Sequence, residues 1–111
     1  MVVPTLSNKA PLAAVETTTR FGLEGNYPNP FNPETVIRYS LRDESWVNLA
    51  IYDVAGRKVR TLIDGQQTAG NGLQITWDGR NDSGSQVASG IYIYRLQSNQ
   101  SVASGKMLLT R

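Results

Sequence analysis

Apolar residues in this chain recur at every second position, in short stretches. Ile37, Tyr39 and Leu41 alternate with Arg38 and Ser40. Val47, Leu49 and Ile51 alternate with Asn48, Ala50 and Tyr52. Leu73, Ile75 and Trp77 alternate with Gln74 and Thr76, and Tyr92, Tyr94 and Leu96 with Ile93 and Arg95. Successive side chains of a strand point to opposite faces, so this pattern matches half-buried strands. No segment carries apolar residues at helical spacing for three turns. Val59 to Ile63 and Lys106 to Thr110 are weaker strand candidates.

The breaks between these stretches carry turn chemistry. Asp53-Val54-Ala55-Gly56 suits a tight turn with glycine at positive φ. Asp64-Gly65 and Ala69-Gly70-Asn71-Gly72 are expected to bound a second loop, and Asp78-Gly79 with Asn81-Asp82-Ser83-Gly84 to form a third. Strands spaced about ten residues apart predict an all-β, immunoglobulin-like sandwich of about seven antiparallel strands in two sheets.

Composition removes whole classes of chemistry. The 111 residues fit one domain, and they include neither cysteine nor histidine. Disulfides, thiolate zinc sites and a Ser-His-Asp triad are therefore excluded. The net charge is +2, and only Arg57, Lys58 and Arg60 cluster among the basic residues. A nucleic-acid binder would show a denser basic stripe with aromatic residues in it, so none is expected as a partner. No apolar run is long enough to span a bilayer, and Met1-Val2-Val3-Pro4 does not open a secretory signal.

Residues 1–20 are rich in Thr, Ala, Pro and Ser and read as an extension or linker before a domain at 21–111. Within them Val2 to Leu6 and Ala14 to Arg20 have short-strand character, the second through Val15, Thr17 and Thr19. Val2, Val3, Leu6, Val15, Thr17 and Thr19 are the candidates for a contact between subunits. By β-augmentation such a segment adds a strand to a neighbouring sheet, and head-to-tail repetition builds a filament or homo-polymer.

Three further groups of residues are of types that can carry chemistry. Most carboxylates sit at expected turns, where acidic side chains cap the backbone, so a paired-carboxylate glycosidase is not expected and the chain reads as no enzyme. Asp78, Asn81 and Asp82 offer oxygen ligands for calcium, but Arg80 stands where an acidic residue would be needed, and a turn held by hydrogen bonds is the simpler account. No cofactor is expected. Trp77, Tyr92 and Tyr94 alternate as core residues do, whereas Trp46 and Tyr52 share the opposite face of their strand. That face suits a second core layer, an interface, or the sugar platform of an accessory carbohydrate-binding module.

The stretch NYPNPFNP at 26–33 holds three prolines, which fix φ and remove backbone donors. It is a stiff loop with two aromatic residues, Tyr27 and Phe31, able to plug a core. The segment NYPNPFNPETVIRYSL at 26–41 resembles the opening of the C-terminal sorting domain of type IX secretion cargo. The resemblance runs on through VNLAIYDVAGRKVRTL at 47–62 and TWDGRNDSGSQVASGIYIYRL at 76–96 to KMLLTR at 106–111. The WDG to SGIYIY part also resembles the immunoglobulin-like domain of flagellar hook-capping proteins.

The sorting-domain resemblance implies a non-catalytic module at the surface of, or secreted from, a Gram-negative bacterium. It implies that the outer-membrane secretion machinery reads the module and that a cargo protein is attached to the surface through it. The residues it marks are Pro28, Asn29, Pro30 and Phe31, then Gly90 and Tyr92, then Lys106, Met107, Leu108 and Leu109. The family usually closes on lysine, and this chain closes on Arg111.

Overall fold

The computed structural model describes residues 20–99 and 101–111. It holds seven strands: β1 (Gly22–Tyr27), β2 (Thr35–Leu41), β3 (Ser45–Asp53), β4 (Lys58–Gln67), β5 (Gly70–Trp77), β6 (Gly90–Gln97) and β7 (Val102–Leu109). All neighbouring strands pair antiparallel. One sheet has the order β1-β2-β5, and the other β4-β3-β6-β7. This is the expected immunoglobulin-like sandwich.

The alternation decides which face of each strand is buried. Ile37, Tyr39 and Leu41 of β2, Val47, Leu49 and Ile51 of β3, and Tyr92, Tyr94 and Leu96 of β6 all enter one core. Trp77 from β5 and Met107 and Leu109 from β7 join them. Each fully buried side chain of this size is worth about 1.5–3 kcal/mol relative to exposure, which is why the period of two fixes the fold.

Two expectations need correction. Asp64-Gly65 and Gly70-Asn71-Gly72 are not loop: they lie inside β4 and β5, and only residues 68 and 69 connect the strands. Pairing overrides the turn propensity, because β3 extends back to Ser45 and brings Val47 opposite Gly65 and Ser45 opposite Gln67. Strand β1, GLEGNY, was not expected, because glycine disfavours strands and its pattern is broken. The structure accommodates it with a register shift between Leu23 and Gly25. Gly25, at φ 102°, supplies the backbone conformation that this irregularity uses.

The prolines of the stiff loop follow β1, and all three X-Pro bonds, at Tyr27-Pro28, Asn29-Pro30 and Asn32-Pro33, are cis. The loop crosses from the three-stranded sheet to the outer edge of β7. There Phe31 forms an isolated parallel bridge with Leu109.

Candidate functional site

The site is assembled at one end of the sandwich, where the PNPF loop meets the last strand. The Phe31 amide donates to the Leu108 carbonyl at 2.9 Å, and the Thr110 amide donates to the Phe31 carbonyl at 2.9 Å. The Asn29 side chain extends this pairing. Its Oδ1 accepts from the Leu108 amide at 3.0 Å, and its Nδ2 points to the Lys106 carbonyl at 3.5 Å. Its carboxamide thus stands where the peptide group of a further strand would stand, one acceptor and one donor against an open edge.

Phe31 is a loop residue by sequence and a core residue by position, only 2% exposed. Its ring lies 5.6 Å from that of Trp77, and Trp77 meets Tyr92 edge-on at 5.4 Å. These separations suit tilted and edge-to-face aromatic pairs. The polar tips are satisfied too: Trp77 Nε1 donates to the Arg80 carbonyl at 2.9 Å, and the Tyr92 hydroxyl to the Ala88 carbonyl at 2.7 Å. Burial raises the Tyr92 phenol above its ordinary value, and the nearby Asp53 charge adds to the rise.

The residues marked by the resemblance therefore divide by environment. Phe31, Tyr92, Met107 and Leu109 are buried and hold the end together. Asn29, Lys106 and Leu108 face outward, and with Ile91 and the edge of Met107 they line a shallow depression of about 240 Å3. Ile91 pairs with Leu108 across β6 and β7, and the two are 48% and 38% exposed, an apolar pair on an outer surface beside a cation. Ile91 was not among the expected residues. Its place in the SGIYIY run, opposite in phase to the buried Tyr92, was the available signal. Pro28 and Pro30 flank Asn29, and the Pro28 carbonyl accepts from Thr35 Oγ1 at 2.8 Å. Gly90 opens β6 at φ 154°, a backbone that side-chain-bearing residues rarely adopt, directly opposite Leu109.

The chain's last residue is also fixed here. The Arg111 amide donates to Ser89 Oγ at 2.9 Å, its Nε to the Val87 carbonyl at 2.6 Å, and its Nη2 to the Gly79 carbonyl at 2.7 Å. A Cβ on Gly79 would lie 2.8 Å from that Nη2 and 2.9 Å from the Pro33 carbonyl oxygen. The 79–89 loop, the PNPF loop and the final residue are thus packed as one unit.

The DGRNDSG loop commits its side-chain oxygens to hydrogen bonds within the loop and with β4. Asp78 Oδ1 accepts from the Arg80 amide at 3.1 Å and from Arg60 at 3.2 Å. Asn81 Oδ1 accepts from the Ser83 and Ser85 amides, each at 3.0 Å. Asp82 Oδ1 accepts from the Thr61 amide at 3.0 Å, and the Asp82 amide donates to the Val59 carbonyl at 3.0 Å, so this loop covers the start of the β4 edge. The calcium candidates Asp78, Asn81 and Asp82 act as turn and edge caps in this arrangement. Among the described residues no group of three or more potential metal-ligating acidic residues occurs.

Trp46 is 56% exposed on the outer face of β3, and its Nε1 donates to Asp64 Oδ1 at 3.0 Å. It stands apart from the depression beside Lys106. The subunit-contact candidates Val2, Val3, Leu6, Val15, Thr17 and Thr19 lie outside the described residues. Among the described residues no helix is long and apolar enough to cross a membrane.

The FlgD Ig-like domain family matches residues 34–101. Both the PNPF loop and the tail from Lys106 lie outside that range. No curated protein matches the sequence. Among solved structures, dimeric latent PorU from Porphyromonas gingivalis is 21% identical with a TM-score of 0.69, covering 97% of this chain and 10% of its own. PorZ, described as an essential bacterial surface component of the type-IX secretion system of the same organism, is 20% identical with a TM-score of 0.55, covering 78% of this chain and 11% of its own. FLGD from P. aeruginosa is 22% identical with a TM-score of 0.51, covering 83% of this chain and 67% of its own. The chain thus spans about a tenth of the first two, and the likeness to all three is one of fold.

Proposed function

The chain belongs to the FlgD Ig-like domain family, and from that premise we propose that it is a non-catalytic sorting module. It directs a cargo protein through the type IX pathway to the surface of a Gram-negative bacterium. The observation that carries the reading is the meeting of the two segments that flank the family match. PNPF and the Lys106–Leu109 strand, far apart in sequence, are hydrogen-bonded through Asn29 and Phe31. They form one outward face with Ile91. A translocon that read this face would read only a folded domain, because the face does not exist until β7 is paired. The likeness in fold to two proteins of a type IX organism agrees with this reading. The lack of histidine and cysteine agrees with a non-catalytic role.

The test is export of a reporter. The 111-residue chain, fused behind a folded reporter carrying a cleavable leader, is expressed in a bacterium with type IX machinery. The wild-type fusion is expected on the cell surface. The triple variant Ile91→Ser, Lys106→Ser, Leu108→Ser is expected to stay in the periplasm while the isolated domain keeps its urea midpoint. Surface delivery of the triple variant at the wild-type level overturns the reading.

A further inference from the structure

The outer face of the four-stranded sheet carries a pattern that the core does not require. Cross-strand partners share a face, so the register sets its rows. One row runs Lys58, Tyr52, Ile93, Lys106 across β4, β3, β6 and β7. It is an apolar pair between two lysines. The row on one side holds Arg95 beside Ser104, and the row on the other holds Ile91 beside Leu108. Lys58, Arg95 and Lys106 are exposed, whereas Tyr52 and Ile93 are half-buried. Tyr52, Val54, Ile93 and Arg95 line a shallow depression of about 320 Å3. Ile93 pairs with Lys106, which lines the other depression.

The charges of this face are not used within the described domain. Among the described residues Lys58, Arg95 and Lys106 take part in no ion pair. The carboxylates that come near are committed elsewhere. Asp53 lines the depression but holds the Arg57 side chain at 2.9 Å and accepts from the Ala55 and Arg57 amides. Asp64, two rows away opposite Asn48, accepts from Trp46. Two lysines at the ends of an apolar pair suit a ligand with a carboxylate at each end and an apolar group between them. Spacing adds to this. Neighbouring strands lie about 4.8 Å apart, so three steps separate the two lysine positions by about 14 Å. In an extended peptide, residues i, i+2 and i+4 face the same side and span about 13 Å.

We propose that this row docks an extended acidic segment of a partner protein, with carboxylates at i and i+4 on Lys58 and Lys106 and an apolar residue at i+2 between Tyr52 and Ile93. Arg95, one row along, adds to the positive potential that draws such a segment in. An anionic bilayer fits less well, because the apolar residues at the centre of the row are half-buried and have little to insert. In placing a partner on this face the proposal rests on the sorting reading, with which it shares Lys106, and it names the chemistry of the segment that meets the face.

The probe is the peptide acetyl-Gly-Glu-Thr-Phe-Thr-Glu-Gly-amide, titrated at low salt into the isotope-labelled full chain and followed by amide chemical shifts. The Tyr52, Ile93 and Lys106 amides are expected to shift, with a dissociation constant of roughly millimolar order. An isomer with its two glutamates adjacent is expected to bind about 3- to 10-fold more weakly, and so is the original peptide to the double variant Lys58→Ser, Lys106→Ser. Both lysines are exposed, so the double variant is expected to keep its urea midpoint. No shift at ~5 mM peptide, or equal binding of the isomer or by the variant, overturns the proposal. Association with phosphatidylglycerol vesicles without a response to the peptide overturns it as well. The outcomes separate from those of export. A peptide that fails to bind, while the Ile91, Lys106, Leu108 triple variant stays in the periplasm, overturns this proposal alone. A peptide that binds, while that variant reaches the surface, overturns the sorting reading alone.

Discussion

Phe31→Ala is the perturbation that most directly probes how the loop and the last strand are joined. The ring is 2% exposed, packs against Trp77 at 5.6 Å and belongs to the main core. Removing it leaves a void lined by residues from both sheets, and such truncations cost about 3–5 kcal/mol. The two backbone hydrogen bonds at residue 31 do not need the ring, so the loss is one of packing. A domain of this size has a total stability of about 5–15 kcal/mol, so the variant is expected to fold but with little reserve. Urea unfolding followed by tryptophan fluorescence is the assay, since Trp77 adjoins the void. With a slope of roughly 1–1.5 kcal/mol per molar, the midpoint is expected to fall by about 2–5 M. Phe31→Leu, which refills much of the space, is expected to recover most of the loss. A cost below about 1 kcal/mol for Phe31→Ala would refute the claim that this loop residue is part of the core.

Three other outcomes are expected. Gly79→Ala adds a Cβ at φ 75° against Arg111 and the Pro33 carbonyl, and is expected to cost more than ~1 kcal/mol in urea unfolding. Two backbone amides, led by that of Arg57, hold the Asp53 carboxyl below the ordinary carboxylate range. Its contribution is present above the unfolded value near 4 and is lost as pH falls through the lowered one, so Asp53→Asn is expected to flatten the loss of stability on acidification below about pH 4. Burial raises the Tyr39, Tyr92 and Tyr94 phenols, so their contribution is full below about pH 10 and declines above it; urea midpoints measured from pH 9 to 11.5 are expected to fall, and less steeply in Tyr94→Phe.

The sandwich was legible because burial on one face of a strand needs a period of two, and β2, β3, β5 and β6 each display it. What escaped was set by pairing between segments distant in sequence. Gly70 and Gly72 read as turn residues, yet β5 begins at Gly70, which pairs with Leu41. The β1 stretch GLEGNY has no apolar rhythm and becomes a strand because β2 offers it an edge. At the site, the aromatic plug was half legible: of the two aromatic candidates of the stiff loop, Phe31 enters the core, whereas Tyr27 is 78% exposed. The position of that plug was not legible. Nothing in Pro28-Asn29-Pro30-Phe31 says that its partner is Leu108, 79 residues after Asn29. Nor does it say that the Asn29 side chain imitates a backbone.

The division of the marked residues into buried and outward sets governs how any loss of function is to be understood. Phe31, Met107 and Leu109 support the core, so changing them lowers the population of folded domain and would stop export by a receptor or by quality control alike. Asn29 is intermediate: its carboxamide closes part of the β7 edge, and Asn29→Ala frees the Leu108 amide while leaving the core intact. Freeing one exposed backbone donor costs little, about 0.5–1.5 kcal/mol, because water replaces the lost partner. Only Ile91, Lys106 and Leu108 can be altered with neither the core nor the edge plug disturbed. A surface-read signal therefore predicts a strong export defect in those three at unchanged stability, whereas a purely structural motif predicts defects that track stability across all the variants.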